Sequence, residues 1–198
     1  MAEIYKIEDK KILFIHIPKT GGRSIGTTLS QYKVHEPRIF GHANVEHCLK
    51  FVKPDYIFTV VRNPWDWRAS WFHYIKEGTS GHVYEYNNIV NISFKDHLKW
   101  IENEPMNNFS NSNYNGVDLK HFIMPQSDYI NDEVKVLRFE NLKNDFDDFM
   151  VEIESNIKLE THIGKSTNNN YIKEYDDESI KIVEKLSNSD IVKFGYKF

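Results

Sequence analysis

Residues 11–29, KILFIHIPKTGGRSIGTTL, constrain the fold of this chain more than any other stretch. The apolar run Ile12-Leu13-Phe14-Ile15 reads as a buried strand, and Pro18 ends it. Lys19-Thr20-Gly21-Gly22-Arg23-Ser24 follows, and Ile25 and Leu29 then take up helical spacing. A strand, a glycine-bearing turn and a helix start, in that order, build an anion site. Glycine lets backbone approach a ligand closely. The N–H groups of a helix start face negative charge. Lys19 and Arg23 add positive charge, and Thr20 and Ser24 add hydroxyl donors. The ligand expected from these residues is a phosphate or a sulfate.

The chain is long enough to surround such a turn with one sizeable domain. It has 198 residues, 40% hydrophobic and 14% aromatic, so a single domain over 1–198 is expected. The net charge of −4 is the wrong sign for a protein that lives on nucleic-acid phosphates. Anion binding must therefore come from local charge. Cys48 is the only cysteine, which excludes an intrachain disulfide and a cysteine-based zinc site. The N-terminal residues do not read as a signal peptide. The longest apolar run falls well short of the roughly 18 residues of a membrane span. A soluble, cytoplasmic protein is the expectation.

Taken in order, residues 1–10 read as a lead-in or an edge strand, 12–16 as a strand and 22–32 as a helix. Val34 begins a short strand. Gly41-His42-Ala43-Asn44 reads as a loop entering a helix that carries Val45, Cys48, Leu49 and Val52. Tyr56–Val61, apolar and rich in β-branched residues, reads as a central parallel strand. It runs into Arg62-Asn63-Pro64, where Asn63 suits an N-cap and Pro64 the first helical position. That helix extends to about Glu77. Residues 78–92 read as loop, and 103–117 as the best candidate for a mobile loop. Between them Ser93–Asp96 starts a helix with Phe94, Leu98 and Ile101 on one face. Residues 134–139 read as a strand. Leu142, Phe146, Phe149, Met150, Ile153 and Ile157 space an amphipathic helix. A polar loop at 160–170 precedes a C-terminal helix carrying Ile180, Val183 and Leu186. The alternation predicts an α/β fold on a mostly parallel sheet.

Two stretches carry chemistry. In Lys19–Ser24 the lysine precedes the glycines, unlike the G-x-x-x-x-G-K-[ST] loop of nucleoside triphosphatases. The next strong strand ends in Arg62 rather than in an aspartate that would hold Mg²⁺. Two cationic motifs without a metal-binding carboxylate favour a highly anionic ligand bound with no divalent ion. In the second stretch, Ser70 lies seven residues after Asn63, about two helical turns. It therefore returns to the face of the cap, where it can share a phosphate with Arg62.

Together these stretches resemble a known family. Ile17-Pro18-Lys19-Thr20-Gly21-Gly22-Arg23-Ser24 is similar to the 5′-phosphosulfate loop of sulfotransferases, specifically the group that contains many carbohydrate sulfotransferases. Val60-Val61-Arg62-Asn63-Pro64-Trp65-Asp66-Trp67-Arg68-Ala69-Ser70 is similar to that family's 3′-phosphate motif. Leu137–Leu142 and Asp190–Tyr196 are also similar to family segments. The resemblance spans roughly residues 12–198 and is loose between 78 and 120. Arg23 departs from it, standing where the family commonly has a small hydroxyl residue.

The resemblance implies a five-stranded, mostly parallel sheet with a P-loop-like phosphosulfate loop. It implies 3′-phosphoadenosine 5′-phosphosulfate (PAPS) as donor, 3′,5′-adenosine bisphosphate (PAP) as product, and no metal. Lys19, Thr20, Gly21, Gly22, Arg23 and Ser24 would hold the 5′ end, and Arg62 and Ser70 the 3′-phosphate. Lys165 and Ser166 fall where a late loop commonly closes over the nucleotide. Residues 78–117 would shape the acceptor side. The acceptor would be a hydroxyl, most plausibly of a saccharide.

Removing the acceptor proton calls for a base. Among the histidines, His42 is preferred, because it follows Gly41 in a loop at a helix entrance and the family often has Gly-His at a comparable place. Glu36 and Glu46 are the carboxylate alternatives. His16 is read as a packed strand residue, Trp65 and Trp67 as core, and the pairs Asp147-Asp148 and Asp176-Asp177 as solvated faces. Two rival readings are a nucleotide kinase and a nucleotide-binding module without catalysis.

Overall fold

A computed structural model describes residues 2–39, 41–77, 90–103, 123–159 and 170–198. They form an α/β fold with a five-stranded mixed sheet flanked by helices. The chain divides into two compact units, the described parts of Met1–Arg62 with Gln126–Lys165, and of Asn63–Pro125 with Ser166–Phe198.

The first unit holds the whole sheet. Strand β1 (Glu3–Ile7) turns through Glu8, at φ +53°, into β2 (Lys10–Ile15), and the two pair antiparallel with Tyr5 opposite Ile12. The short β3 (Lys33–Val34) pairs antiparallel with the other edge of β1. β4 (Tyr56–Val61) runs parallel to β2, and β5 (Lys135–Arg138) parallel to β4. The order is β3-β1-β2-β4-β5.

Two expectations change. The sheet is mixed rather than mostly parallel, with its parallel pairings confined to β2, β4 and β5. Residues 3–7 are an interior strand, not a lead-in or an edge. Their burial marks them: Tyr5 and Ile7 enter the main core and Ile4 is buried as well, while Lys6 is exposed.

β4 is interior rather than central to the sheet, lying between β2 and β5 and parallel to both. From Phe58 to Val61 every residue is buried. Its Phe58 stacks on Phe14 of β2, with ring centroids 4.8 Å apart. Helix α1 (Gly22–Thr28) contributes Ile25 to this core, and Leu29 follows it. The helix expected at Val45 is α2 (Val45–Leu49), capped by the Asn44 side chain, which accepts from the His47 N–H.

The described part of the second unit is helical. α3 (Pro64–Lys76) begins as its sequence predicts. Asn63 Oδ1 accepts from the Trp65 N–H, and Pro64 stands in the first turn. α4 (Phe94–Asn103) starts at Ser93, whose Oγ accepts from the Asp96 N–H. Trp65 and Trp67 are buried in this unit, consistent with a core role.

The amphipathic stretch after β5 returns to the first unit as α5 (Leu142–Glu152), which adds Phe146, Phe149 and Met150 to the sheet's core. Asp147 is not simply a solvated face. It pairs with Lys143 at 2.8 Å and accepts from the Leu159 backbone N–H at 3.0 Å, tying down the chain beyond α5. α6 (Asp177–Leu186) and α7 (Asn188–Phe194) complete the described helices of the second unit. Asp176 and Asp177 are exposed, as expected of a solvated face, and Asp176 also caps α6. Its carboxylate accepts from the Ser179 N–H at 2.9 Å and pairs with Lys95 at 2.8 Å. Those partners hold the Asp176 carboxyl well below the usual range, Lys95 foremost.

No helix among the described residues is long and apolar enough to cross a membrane. The expected loops at 78–92 and 103–117 fall mostly outside the described residues, as does most of 160–170.

Candidate functional site

The site is built in the first unit, from the order in which the parallel strands end. Ile15 of β2 pairs with Thr59 of β4, and the Thr59 hydroxyl donates to the Ile15 carbonyl at 2.7 Å. Val61 of β4 pairs with Arg138 of β5. The segments that follow β2, β4 and β5 therefore leave the same edge of the sheet. That carboxyl edge is where open α/β sheets place their ligand crevices. It receives Lys19–Ser24 after β2, Arg62 directly after β4, and Phe139 directly after β5.

The loop after β2 is wound tightly. Lys19 has φ +65°, in the left-handed region that disfavours a residue with a Cβ by about 1–2 kcal/mol. Gly21 follows at φ +89°. A Cβ on Gly21 would lie 2.9 Å from Leu142 Cδ2 and 3.2 Å from Phe139 Cδ2, so glycine is required there for both conformation and space. The Ser24 N–H donates to the Gly21 carbonyl at 2.9 Å, which starts α1.

The Thr20 hydroxyl is used within the turn. Thr20 is fully buried, and its hydroxyl donates inward to the Ile17 carbonyl at 2.8 Å. That proton closes the turn rather than facing a ligand. Ser24 is buried at the start of α1, and Arg23 beside it is exposed.

Arg62 meets this loop. Its Nη1 donates to the Lys19 carbonyl at 3.0 Å, and its guanidinium lies over the Phe139 ring, 4.2 Å from the centroid. The Gln126 side chain fixes the backbone behind it, accepting from the Arg62 N–H and donating to the Arg62 carbonyl, each at 2.8 Å. Arg62 is 6% exposed. A cation so nearly enclosed acts strongly on any anion that reaches it.

His42 also joins this unit. Gly41, at φ +61°, makes the turn before it, and its carbonyl accepts from the Ala2 N–H at 2.8 Å. His42 Nδ1 is 2.7 Å from the His16 carbonyl oxygen. A carbonyl can only accept, so Nδ1 carries the proton. The neutral ring then has its basic lone pair on Nε2.

The carboxylate alternatives fare differently from His42. Glu36 holds Arg38 through both oxygens, at 2.7 and 2.8 Å, and Arg38 pulls its carboxyl down to about 2. A carboxylate that weakly basic is a poor proton acceptor near neutrality. Glu46 lies exposed in the first turn of α2.

His16 is the residue that sequence reasoning undervalued. It is half-buried just beyond β2, and it does more than fill a strand. Its ring stacks on Phe14 at 5.4 Å and meets the edge of His42 at 4.9 Å. A Cβ on Gly22 would fall 1.9 Å from His16 Nε2, so the imidazole occupies the space this glycine leaves. The available signal was a polar ring closing an apolar strand just ahead of two glycines. Gly22→Ala is expected to lower stability by about 1–3 kcal/mol, because the stacked imidazole must leave its place. The double change Gly22→Ala with His16→Ala should recover most of the loss in urea unfolding. A purely additive double variant would rule out this clash as the cause.

Comparison of the chain with protein-family models, with curated proteins and with solved structures found no match.

Ser70 belongs to the second unit, buried on α3. Lys165 and Ser166 fall outside the described residues. Among the described residues no group of three or more His, Cys, Asp or Glu is placed to hold a metal ion.

Proposed function

We propose that this protein is a PAPS-dependent sulfotransferase acting on a hydroxyl of a saccharide acceptor. The observation that carries the reading is the hydrogen bond from Arg62 Nη1 to the Lys19 carbonyl. The two motifs that resemble sulfotransferase sequences lie far apart in the chain, yet they meet at one carboxyl edge of parallel strands. A cradle lysine and an enclosed arginine suit a donor with charge at both its 5′ and its 3′ positions. Lys19, Thr20, Gly21, Gly22, Arg23 and Ser24 hold the 5′ end in this reading. Thr20 acts there by shaping the turn. Arg62 takes the 3′-phosphate. Ser70, Lys165 and Ser166 are assigned to the nucleotide by sequence resemblance alone.

The reaction is an in-line sulfuryl transfer. The acceptor oxygen forms a bond to sulfur while the bond from sulfur to the bridging phosphate oxygen breaks. The electron pair of that bond stays on the departing 5′-phosphate of PAP. The ammonium of Lys19 stabilises the charge growing on the bridging oxygen. The acceptor proton passes to Nε2 of His42, which the tautomer set by the His16 carbonyl leaves able to take it. Positioning and charge stabilisation supply most of the acceleration in such loose transfers.

The test is thermal unfolding with PAP and with ATP, each with and without Mg²⁺. PAP at 100 times its dissociation constant should stabilise the protein by about 2.7 kcal/mol, with no need for Mg²⁺. Stabilisation by ATP with Mg²⁺ and none by PAP would favour a kinase and overturn the sulfotransferase reading.

A further inference from the structure

Phe139 has no place in the proposed chemistry, yet both halves of the site rest on it. The ring of Phe139 lies beneath the Arg62 guanidinium, 4.2 Å from its carbon. Two atoms of the same ring edge stand 3.2 and 3.3 Å from where a Gly21 Cβ would be. The ring is thus pressed against the backbone of the loop on one side and against its arginine on the other. Phe139 is itself held from behind, since it packs on the core cluster that includes Leu142.

The chain of interactions runs on to Lys19. Arg62 donates to the Lys19 carbonyl, and Lys19 is the one residue of the loop with a Cβ that adopts a left-handed backbone. A conformation of that kind persists only when its surroundings impose it. A guanidinium on an aromatic face keeps a defined plane, because the ring's negative face attracts the cation wherever solvent does not screen it. Arg62 is enclosed enough for that attraction to count.

We infer that Phe139 is a positioning residue for anion binding: its aromatic face sets the Arg62 guanidinium, and through it the left-handed Lys19 turn, before any ligand arrives. The ring contributes its electron-rich face and not merely its bulk. This inference rests on the proposed donor site, because the anion it prepares for is the bisphosphate.

The test replaces Phe139 with 4-fluoro-, 3,5-difluoro- and 3,4,5-trifluorophenylalanine, which keep its shape and drain charge from its face. The dissociation constant of PAP should rise stepwise, by roughly three- to tenfold over the series, while the unfolding temperature stays near that of the parent. In an Arg62→Ala background PAP should bind weakly, and the fluorine series should lose its slope. A flat series in the parent protein, with Arg62→Ala still impairing PAP binding, would overturn the role of Phe139 and leave the donor site standing. Arg62→Ala without effect on PAP binding would overturn the donor site itself. Loss of affinity that tracks a fall in unfolding temperature would reduce Phe139 to packing and overturn the inference.

Discussion

Replacing His42 with alanine is expected to lower turnover by about 10²–10⁴-fold while leaving the dissociation constant of PAP nearly unchanged. The reason lies in how the ring is held. The His16 carbonyl accepts the Nδ1 proton at 2.7 Å, so the ring is oriented and its basic nitrogen chosen before the acceptor binds. In the proposed reaction His42 takes the acceptor proton and is assigned no contact with the donor. The loss should therefore fall on the chemical step alone. Turnover can be read as PAP released from PAPS in the presence of a panel of saccharides. Glu36→Gln is the contrasting variant. Its carboxylate is committed to Arg38, which pulls it down to about 2, so turnover should stay close to the parent value. If His42→Ala turned over normally while Glu36→Gln did not, the proton would leave through the carboxylate and the His42 assignment would fall.

Much of this site was legible in the sequence because it is local. A strand that ends before Lys19-Thr20-Gly21-Gly22 can only deliver those residues to the strand's carboxyl end. Asn63-Pro64 marks a helix start for simple steric and hydrogen-bonding reasons. What the sequence hid is what depends on register and distant packing. The direction of β1 relative to β2 follows from a tight turn at Glu8 that carries no glycine. Residues that form turns without glycine leave little trace in sequence. Thr20 reads as a ligand donor because its type suits the role, and only the Ile17 carbonyl reveals that its proton is used within the turn. His16 and Phe139 act by facing glycines and an arginine from elsewhere in the fold. No periodicity encodes such a meeting. Asp176 reads as surface charge because capping depends on where the next helix begins.

Arg68 in the second unit is expected to show the largest stability effect, since Arg68→Ala should cost about 3–5 kcal/mol. The residue sits one turn into α3 and reads as a polar helix position, but it is 1% exposed. Its Nη2 donates to the Ile123 carbonyl at 3.4 Å, and its guanidinium lies 4.9 Å from the Trp67 ring centre. Burial lowers its pKa to about 10, and the charge of Asp190 opposes that fall, so the guanidinium remains charged at neutral pH. Asp190 is itself fully buried. Removing Arg68 therefore takes away a positive charge that acts on the buried Asp190 carboxylate, and that loss outweighs the packing the side chain itself supplies. The same charge bears on His97, fully buried among the helices, whose pKa falls to about 3 from burial first and Arg68 second. Two effects thus depend on one side chain: it compensates Asp190, and it helps keep His97 neutral. They can be separated by replacing both charges. Arg68→Met with Asp190→Leu deletes the pair while keeping apolar volume, and such exchanges are often close to neutral. The double variant should lose much less stability in urea than Arg68→Ala alone. Equal losses would mean that Arg68 acts through its packing, and that its charge contributes little to holding the helices together.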